Sequence, residues 1–335
     1  MGGQTLLITG GCGFLGGSLV RKFVELGWDV RVFDNESRGS SVRLADLATS
    51  IEMIPGDIRD ADAVTRATKG VDAVAHLAYI NGTEFFYSKP DLVLEVGVAG
   101  ALNTINAAIR HEVGQYWLMS SSEVYQTPDT VPTDESVRLV VPDPQNPRYS
   151  YGGGKIISEL MALHIAGRHL ERVVIVRPHN VYGPEMGWEH VVPQLTLRAI
   201  DACRSNDSDP VPFPIQGNGS QTRAFVYIDD FTSGCSLAFL YGETRGIYHV
   251  GTEDEVTIRR LCEKIFGILG RGVELVRMPL PKGGTIRRCP DITKIRSLGY
   301  TPRVSLDEGL RRTVEWYAEH ESLRPSESGD GPSQS

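Results

Sequence analysis

The chain has 335 residues, a formal charge of −8, and 41% apolar and 8% aromatic residues. That length and apolar content suit one large globular domain with a smaller appended lobe, and the acidic balance, without any Lys/Arg-rich run, argues against nucleic acid or an anionic membrane surface as the main partner. Cys12, Cys203, Cys235, Cys262 and Cys289 show neither CxxC nor Cys/His ligand spacing, which speaks against a disulfide framework or a metal site and fits the reducing cytoplasm.

The apolar stretch near the start is short, broken by glycines and without a basic leader, so it reads as a buried strand and helix rather than a signal peptide or membrane span. Residues 5–9 are apolar and β-rich, residues 18–26 have helical apolar spacing up to a Gly27 stop, and residues 29–34 read as a second strand ending in Asp34. Further strands are predicted at 51–54, 73–77, 116–119 and 173–176, separated by segments long enough for crossover helices. Such alternation predicts an α/β class with a doubly wound parallel sheet, right-handed crossovers and ligands at the carboxyl ends of the strands. The sheet domain is expected over residues 1–180, with returning segments around 224–250. Beyond it Tyr182-Gly183-Pro184, the proline-rich 210–214 and Gly217-Asn218-Gly219 predict a loop-rich, substrate-facing lobe over residues 181–320. Residues 322–335 are polar and aperiodic, which predicts disorder.

Gly10, Gly13 and Gly16 lie between the first strand and helix in Thr9-Gly10-Gly11-Cys12-Gly13-Phe14-Leu15-Gly16. Missing side chains there allow a tight turn and the approach of a pyrophosphate to the helix N-terminus, where Phe14 and Leu15 stand; the alternative is a glycine-rich turn with no ligand. Asp34 follows Gly16 by 18 residues and precedes Asn35, so its carboxylate can accept hydrogen bonds from an adenosine ribose while repelling a 2′-phosphate, favouring NAD over NADP. Arg38 is the complication, since a nearby arginine can neutralise that phosphate. Asp57-Ile58 follows the third strand and can meet the adenine, or can form an Asx turn or helix cap. His76-Leu77-Ala78 ends the fourth strand, where a lone histidine is more often a satisfied core group than a catalyst.

Tyr151-Gly152-Gly153-Gly154-Lys155 places a phenol and an ammonium four residues apart, on one face of a helix. A lysine charge beside the phenol favours phenolate, so the tyrosine can exchange a proton with a substrate hydroxyl. Ser120-Ser121-Ser122-Glu123-Val124-Tyr125 follows a strand whose carboxyl end faces the same cavity, and a serine there can hold the transferred proton. Plain loop chemistry is the alternative.

With these motifs and Arg177-Pro178-His179-Asn180-Val181-Tyr182-Gly183-Pro184, the chain resembles, over about residues 5–320, the extended short-chain dehydrogenase/reductases of the nucleotide-sugar epimerase/dehydratase family, which have a Rossmann-type sheet and a smaller C-terminal substrate-binding lobe. The resemblance implies tightly bound NAD contacted by Gly10, Gly13, Phe14, Leu15, Asp34, Asn35, Asp57, Ile58, Leu77, Ala78, Tyr151 and Lys155. It implies that Tyr151 deprotonates a sugar hydroxyl, that a hydride passes to the nicotinamide and that a ketosugar results. Lys155 would bind the nicotinamide ribose and lower the phenol pKa, and Ser122 would support the proton. Asn180, Arg223 and Arg288 would contact the diphosphate of a nucleotide sugar, the arginines through bidentate bonds unless they form surface pairs with acids such as Asp230 and Asp291. Homodimers are expected, through helices around residues 91–111 and 150–168.

Two departures stand out. Gly97-Val98-Ala99-Gly100 replaces a segment in which the family often carries asparagine, and His179 replaces an aromatic residue before Asn180. Glu123 governs the reaction: a 4-epimerase needs no second base, whereas in a 4,6-dehydratase an acid here resembles the base that removes the C5 proton. Ser122 stands where some dehydratases have an aspartate that protonates the leaving hydroxyl, and Ser-Glu also resembles UDP-glucuronate decarboxylases, in which Arg223 would hold the sugar carboxylate. The expectation is a 4-epimerase, with dehydratase and decarboxylase as alternatives and an NAD-binding sensor or scaffold as the non-enzymatic one. In Met186-Gly187-Trp188-Glu189-His190, Trp188 is expected to stack on a sugar or Glu189 to bind its hydroxyls, unless the tryptophan is a packing anchor.

Overall fold

Strands β1 (Thr5–Thr9), β2 (Asp29–Asp34), β3 (Ile51–Pro55), β4 (Ala73–His76), β5 (Gln115–Met119), β6 (Arg172–Pro178) and β11 (Gly246–Val250) form one seven-stranded sheet in the order β11-β6-β5-β4-β1-β2-β3, with every pairing parallel. The computed structural model describes residues 3–279 and 287–324. Side-chain alternation divides the core into the two layers that a covered parallel sheet requires. Leu6, Ile8, Trp117, Val174 and Val176 face one apolar layer; Leu7, Val74, Tyr116, Leu118, Val173 and Ile175 face the other. Each fully buried aliphatic side chain of this kind contributes about 1.5–3 kcal/mol.

Because β1 pairs with both β2 and β4, the chain winds outward through β2 and β3, then returns to start β4 on the other side. A crevice opens at that switch, at the carboxyl ends of β1 and β4. The Thr9 hydroxyl knits its floor: it hydrogen-bonds His76 Nδ1 at 2.9 Å and accepts from the backbone N–H groups of Leu77 at 3.2 Å and Ala78 at 3.3 Å.

After residue 180 the strands are shorter. β7 (Val181–Tyr182) pairs with β10 (Val226–Tyr227), and β8 (Val211–Gln216) runs parallel to β13 (Val273–Met278). β9 (Thr222–Ala224) lies between β12 (Glu255–Thr257) and β14 (Arg287–Arg288), in a register that sets Arg288 opposite Arg223.

Three boundaries differ from expectation. Helix α1 (Phe14–Glu25) starts four residues early, because Gly16 and Gly17 are buried and let its first turn pass against the glycine turn; a Cβ on Gly16 would overlap the Gly10 carbonyl. Within the expected returning segments around 224–250, residues 224–228 hold the end of β9, β10 and the start of a helix at Ile228, and the strand that joins the sheet is β11. At the chain's end Glu321–Leu323 forms a 3-10 turn, so order extends through Ser322; residues 325–335 of the predicted disordered tail lie outside the described residues.

The helical run Pro90–Arg110 is long and apolar enough by composition to cross a membrane, but half of it is buried inside the fold, as in a core helix.

Candidate active site

A cleft of about 530 Å³ opens at the sheet's carboxyl edge. Its walls include Gly10, Gly13, Phe14, Leu15, Asp34, Asn35, Asp57, Ile58, Leu77, Ala78, Ser122, Glu123, Tyr151, Lys155, Asn180, Arg223 and Arg288, all expected to hold cofactor or substrate, but not Trp188.

At the glycine turn, Gly10 has φ +74° and an added Cβ would stand 2.7 Å from Ala78 N, so only glycine suits it. Gly13 caps α1 without a side-chain partner, leaving the first N–H groups of the helix directed at the cleft. Asp34 accepts hydrogen bonds from Cys12 N at 2.9 Å and Glu36 N at 2.7 Å, while burial pushes its pKa up. Asp57 forms the alternative Asx turn, accepting from Arg59 N at 2.9 Å, and also accepts from Asn35 Nδ2 at 3.1 Å. Its ion pair with Arg59 lowers its pKa to about 2. His76 is the core group the sequence suggests: it is buried, bonded to Thr9, and burial with the nearby Lys155 charge drives its pKa down to about 3.

Arg38 forms an ion pair with Glu189 and stacks 4.4 Å over the Phe85 ring. Glu189 is thus engaged by an arginine that lines the cleft with Asp34. Trp188 is the packing anchor, its ring 5.0 Å from Tyr317 and 6.1 Å from Trp316. Arg43 adds a second tie, donating to the Cys12 carbonyl at 2.8 Å and the Glu185 carbonyl at 2.8 Å.

At the other end, the helix Ser150–Met161 carries Tyr151 and Lys155, both buried. Lys155 Nζ donates to the Met119 carbonyl at 2.7 Å and lies 3.9 Å from the Tyr79 ring centroid, against 5.8 Å from that of Tyr151. Burial lowers the lysine pKa to about 7, with Glu159 opposing. In the protein alone burial pushes the Tyr151 pKa up, and the nearby Ser121 hydroxyl pulls it back. Ser121, not singled out from the sequence, is therefore the serine beside the phenol. Ser122 lies in the next turn with its side chain buried.

Glu123 makes an ion pair with Arg288, which also donates to the Gln126 carbonyl at 3.2 Å. Burial penalises the Glu123 carboxylate, yet Arg288, with Arg148 and Arg223 behind it, outweighs that and holds its pKa below the ordinary range. Arg223 donates to the Thr222 carbonyl at 2.7 Å, and burial beside Arg288 lowers its pKa to about 10. The alternative acids are engaged elsewhere: Asp230 accepts from Arg303 N and Val304 N, and Asp291 from Thr293 N. Asn180 sits at φ +38° and donates to the Ala224 carbonyl at 3.2 Å. His179 is buried against His249, with ring centroids 4.6 Å apart, and lies outside the cleft lining.

Residues 6–251 match the model of the NAD dependent epimerase/dehydratase family. The chain belongs to that family. This epimerase/dehydratase is similar to the dTDP-glucose 4,6-dehydratase of Streptomyces venezuelae, solved with NAD bound: 31% identity, TM-score 0.83, covering 95% of this chain and 98% of that one. It is similar to the UDP-glucose 4-epimerase of Thermotoga maritima, solved with UDP-glucose: 28% identity, TM-score 0.82, covering 95% of this chain and 100% of that one. Among curated relatives, the UDP-N-acetyl-alpha-D-glucosaminuronate decarboxylase of Bacillus cytotoxicus is 30% identical, covering 94% of this chain and 98% of its relative. The family is NAD-dependent, and the epimerase/dehydratase described here has the parts to hold NAD: a cradle at Gly10 and Gly16 that a Cβ would fill, an open helix N-terminus and the Asp34 carboxylate. No group of three or more His, Cys, Asp or Glu side chains suited to a metal occurs among the described residues, and the five cysteines are free thiols.

Proposed function

We propose that this epimerase/dehydratase is an NAD-dependent nucleotide-sugar 4-epimerase. The observation that carries the reading is the Glu123–Arg288 ion pair. Elimination across C5 and C6 needs a base strong enough to take a carbon-bound proton, and a carboxylate whose pKa is held low is a weak one. The buried Ser122, in the position of a leaving-group acid, supplies no carboxyl proton.

In this reading Tyr151 takes the proton of the sugar 4-hydroxyl, the Ser121 hydroxyl beside it eases loss of the phenol proton, and Lys155 contributes its ammonium to the same cavity. Bound NAD supplies a hydride acceptor and returns the hydride. Inversion follows when the 4-ketosugar turns its other face before return, and Tyr151 then gives the proton back. Asn180, Arg223 and Arg288, which line the same cleft, hold the diphosphate, the two arginines from a substrate lobe over residues 181–320. The protein acts as a homodimer through the helices Pro90–Leu94, Gly100–Arg110 and Ser150–Met161, which expose Leu94, Leu102, Ile157 and Leu160. A Leu160→Glu variant that still sediments as a dimer would remove that assembly.

A second reading is decarboxylation of a nucleotide-linked uronate, favoured by the paired guanidinium groups of Arg223 and Arg288, which suit a sugar carboxylate as well as a phosphate. Incubating the protein with UDP-, GDP-, CDP-, ADP- and dTDP-sugars, UDP-glucuronate included, separates the readings by mass spectrometry and proton NMR. Unchanged mass with new ring couplings is the expected result. Loss of water identifies a dehydratase with Glu123 as base, and loss of carbon dioxide a decarboxylase. Complete inertness with NAD bound leaves a sensor.

A further inference from the structure

The helix that bears Tyr151 and Lys155 has three consecutive glycines, and a fourth glycine, Gly97, faces it from the neighbouring helical run. A Cβ built on Gly97 would fall onto the Tyr79 phenol, overlapping its hydroxyl and ring carbons, and a Cβ on Gly154 would overlap the same hydroxyl. Tyr79 therefore occupies a slot that exists because two residues far apart in the chain lack side chains. Its ring meets Tyr151 edge-on, with centroids 5.1 Å apart at 82°, and its face lies 3.9 Å from the Lys155 ammonium nitrogen. Its hydroxyl is buried with no hydrogen-bond partner among the described residues. Burying a phenol without a partner is costlier than burying phenylalanine, so the hydroxyl fills the slot with no hydrogen bond to offset its desolvation.

We infer that Tyr79 is a positioning residue: its ring face, locked in the Gly97/Gly154 slot, holds the Lys155 ammonium at the catalytic end of the cleft. The attraction is that of a cation for the negative face of an aromatic ring, strengthened where water is excluded. This rests on the reading of Lys155 as part of the acid/base and ribose-binding machinery, but its physical content, a ring that stabilises the charged lysine, stands apart from any substrate. The other groups facing Lys155 are His76 from β4, Tyr151 and Glu159 from its own helix, and the Met119 carbonyl from β5. Only Glu159 among them bears a negative charge; Tyr79 adds an attraction from the β4 side without adding charge. The lysine's pKa, already driven down by burial, is the property that reports the contact.

The test follows Lys155 by carbon-13 NMR of lysine-labelled protein loaded with NAD, assigned by its loss in Lys155→Met. Tyr79→Phe keeps the ring and should leave the Lys155 titration midpoint and NAD affinity within twofold of the parent. Tyr79→Leu should lower the midpoint by about 0.5–1 pH unit and weaken NAD several-fold. Should the leucine variant not fold, mono-, di- and trifluorinated phenylalanines at position 79 preserve the shape while draining the ring face of negative potential. The midpoint should then fall stepwise with fluorine number. A flat fluorine series, or a folded leucine variant with an unchanged midpoint, would overturn the assignment, as would a phenylalanine variant that matches leucine. Inertness of the parent towards every nucleotide sugar would sink the epimerase reading and leave these titrations as they stand.

Discussion

Arg288 donates to the Glu123 carboxylate from the strand β14, bringing together two cleft residues separated by 165 positions in the chain. Both partners are mostly shielded, with side chains 9% and 27% exposed. An ion pair of this kind is a poor source of net stability, but removing one partner strands the other charge in a dry place. Glu123→Gln is therefore expected to cost about 2 kcal/mol in urea unfolding. Replacing both residues, as Glu123→Gln with Arg288→Met, should recover part of that loss. If Glu123 is held as architecture, the single variant also keeps its product and loses less than tenfold in turnover. A loss of a thousandfold or more would make Glu123 the catalytic base.

The glycine run after Tyr151 separates close packing from plain helix cost. A Cβ on Gly152 would stand 2.6 Å from Gln126 Nε2 and 2.9 Å from the Glu123 carbonyl, and one on Gly154 would overlap Tyr79, whereas one on Gly153 meets only Val141 at 3.6 Å. Glycine within a helix costs about 1 kcal/mol relative to alanine. Gly153→Ala is expected to raise the denaturation midpoint by that order, while Gly154→Ala lowers it and displaces the Tyr79 ring. Equal shifts in the two variants would contradict the slot.

What could be read from the sequence is what lies within one element. The glycine turn, Asp34 at the end of β2, the alternation that sorts Leu6 and Ile8 from Leu7, and the Tyr151/Lys155 spacing each follow from local periodicity or backbone sterics. What could not be read depends on segments meeting. Two serines separate Ser120 from Glu123, and only the rotation of the turn after β5 decides that Ser121 reaches the phenol. Gly97 has no visible reason in its own segment, because the Tyr79 ring that needs its space comes from elsewhere in the chain. Trp188 resembled a sugar platform because its partners, Trp316 and Tyr317, lie on a helix near the end of the chain.

Lys155 imposes a pH dependence with a definite sign. Folding depresses its pKa to about 7, whereas an unfolded lysine titrates near about 10.4. Between those values the unfolded chain binds a proton that the folded chain does not, so stability climbs with pH, by up to about 1.4 kcal/mol per unit. Lys155→Met removes that slope. Without NAD, the variant should lead the parent in urea midpoint at pH 7.5, and the lead should shrink towards pH 9. Parallel curves would mean that Lys155 keeps its proton in the fold.

Ser121 and Ser122 give the sharpest division of labour. Ser121 accepts from Glu123 N at 3.1 Å, which fixes its oxygen near the Tyr151 phenol, whose pKa it pulls down. Ser122 is buried in the 3-10 turn that follows. Tyr151→Phe removes the acid/base group and should cost about 10²–10⁴-fold in kcat with little change in nucleotide-sugar affinity. Because burial drives the phenol pKa upward and the nearby Ser121 hydroxyl opposes it, Ser121→Ala should move the ascending, low-pH limb of kcat to higher pH and lower kcat at pH 7. Ser122 is not among the groups that shift the phenol, so Ser122→Ala should leave that limb in place. Steady-state kinetics over pH 6–10 with the sugar nucleotide that turns over would decide it: a shifted limb in Ser122→Ala, with Ser121→Ala unmoved, would return the proton-holding role to Ser122.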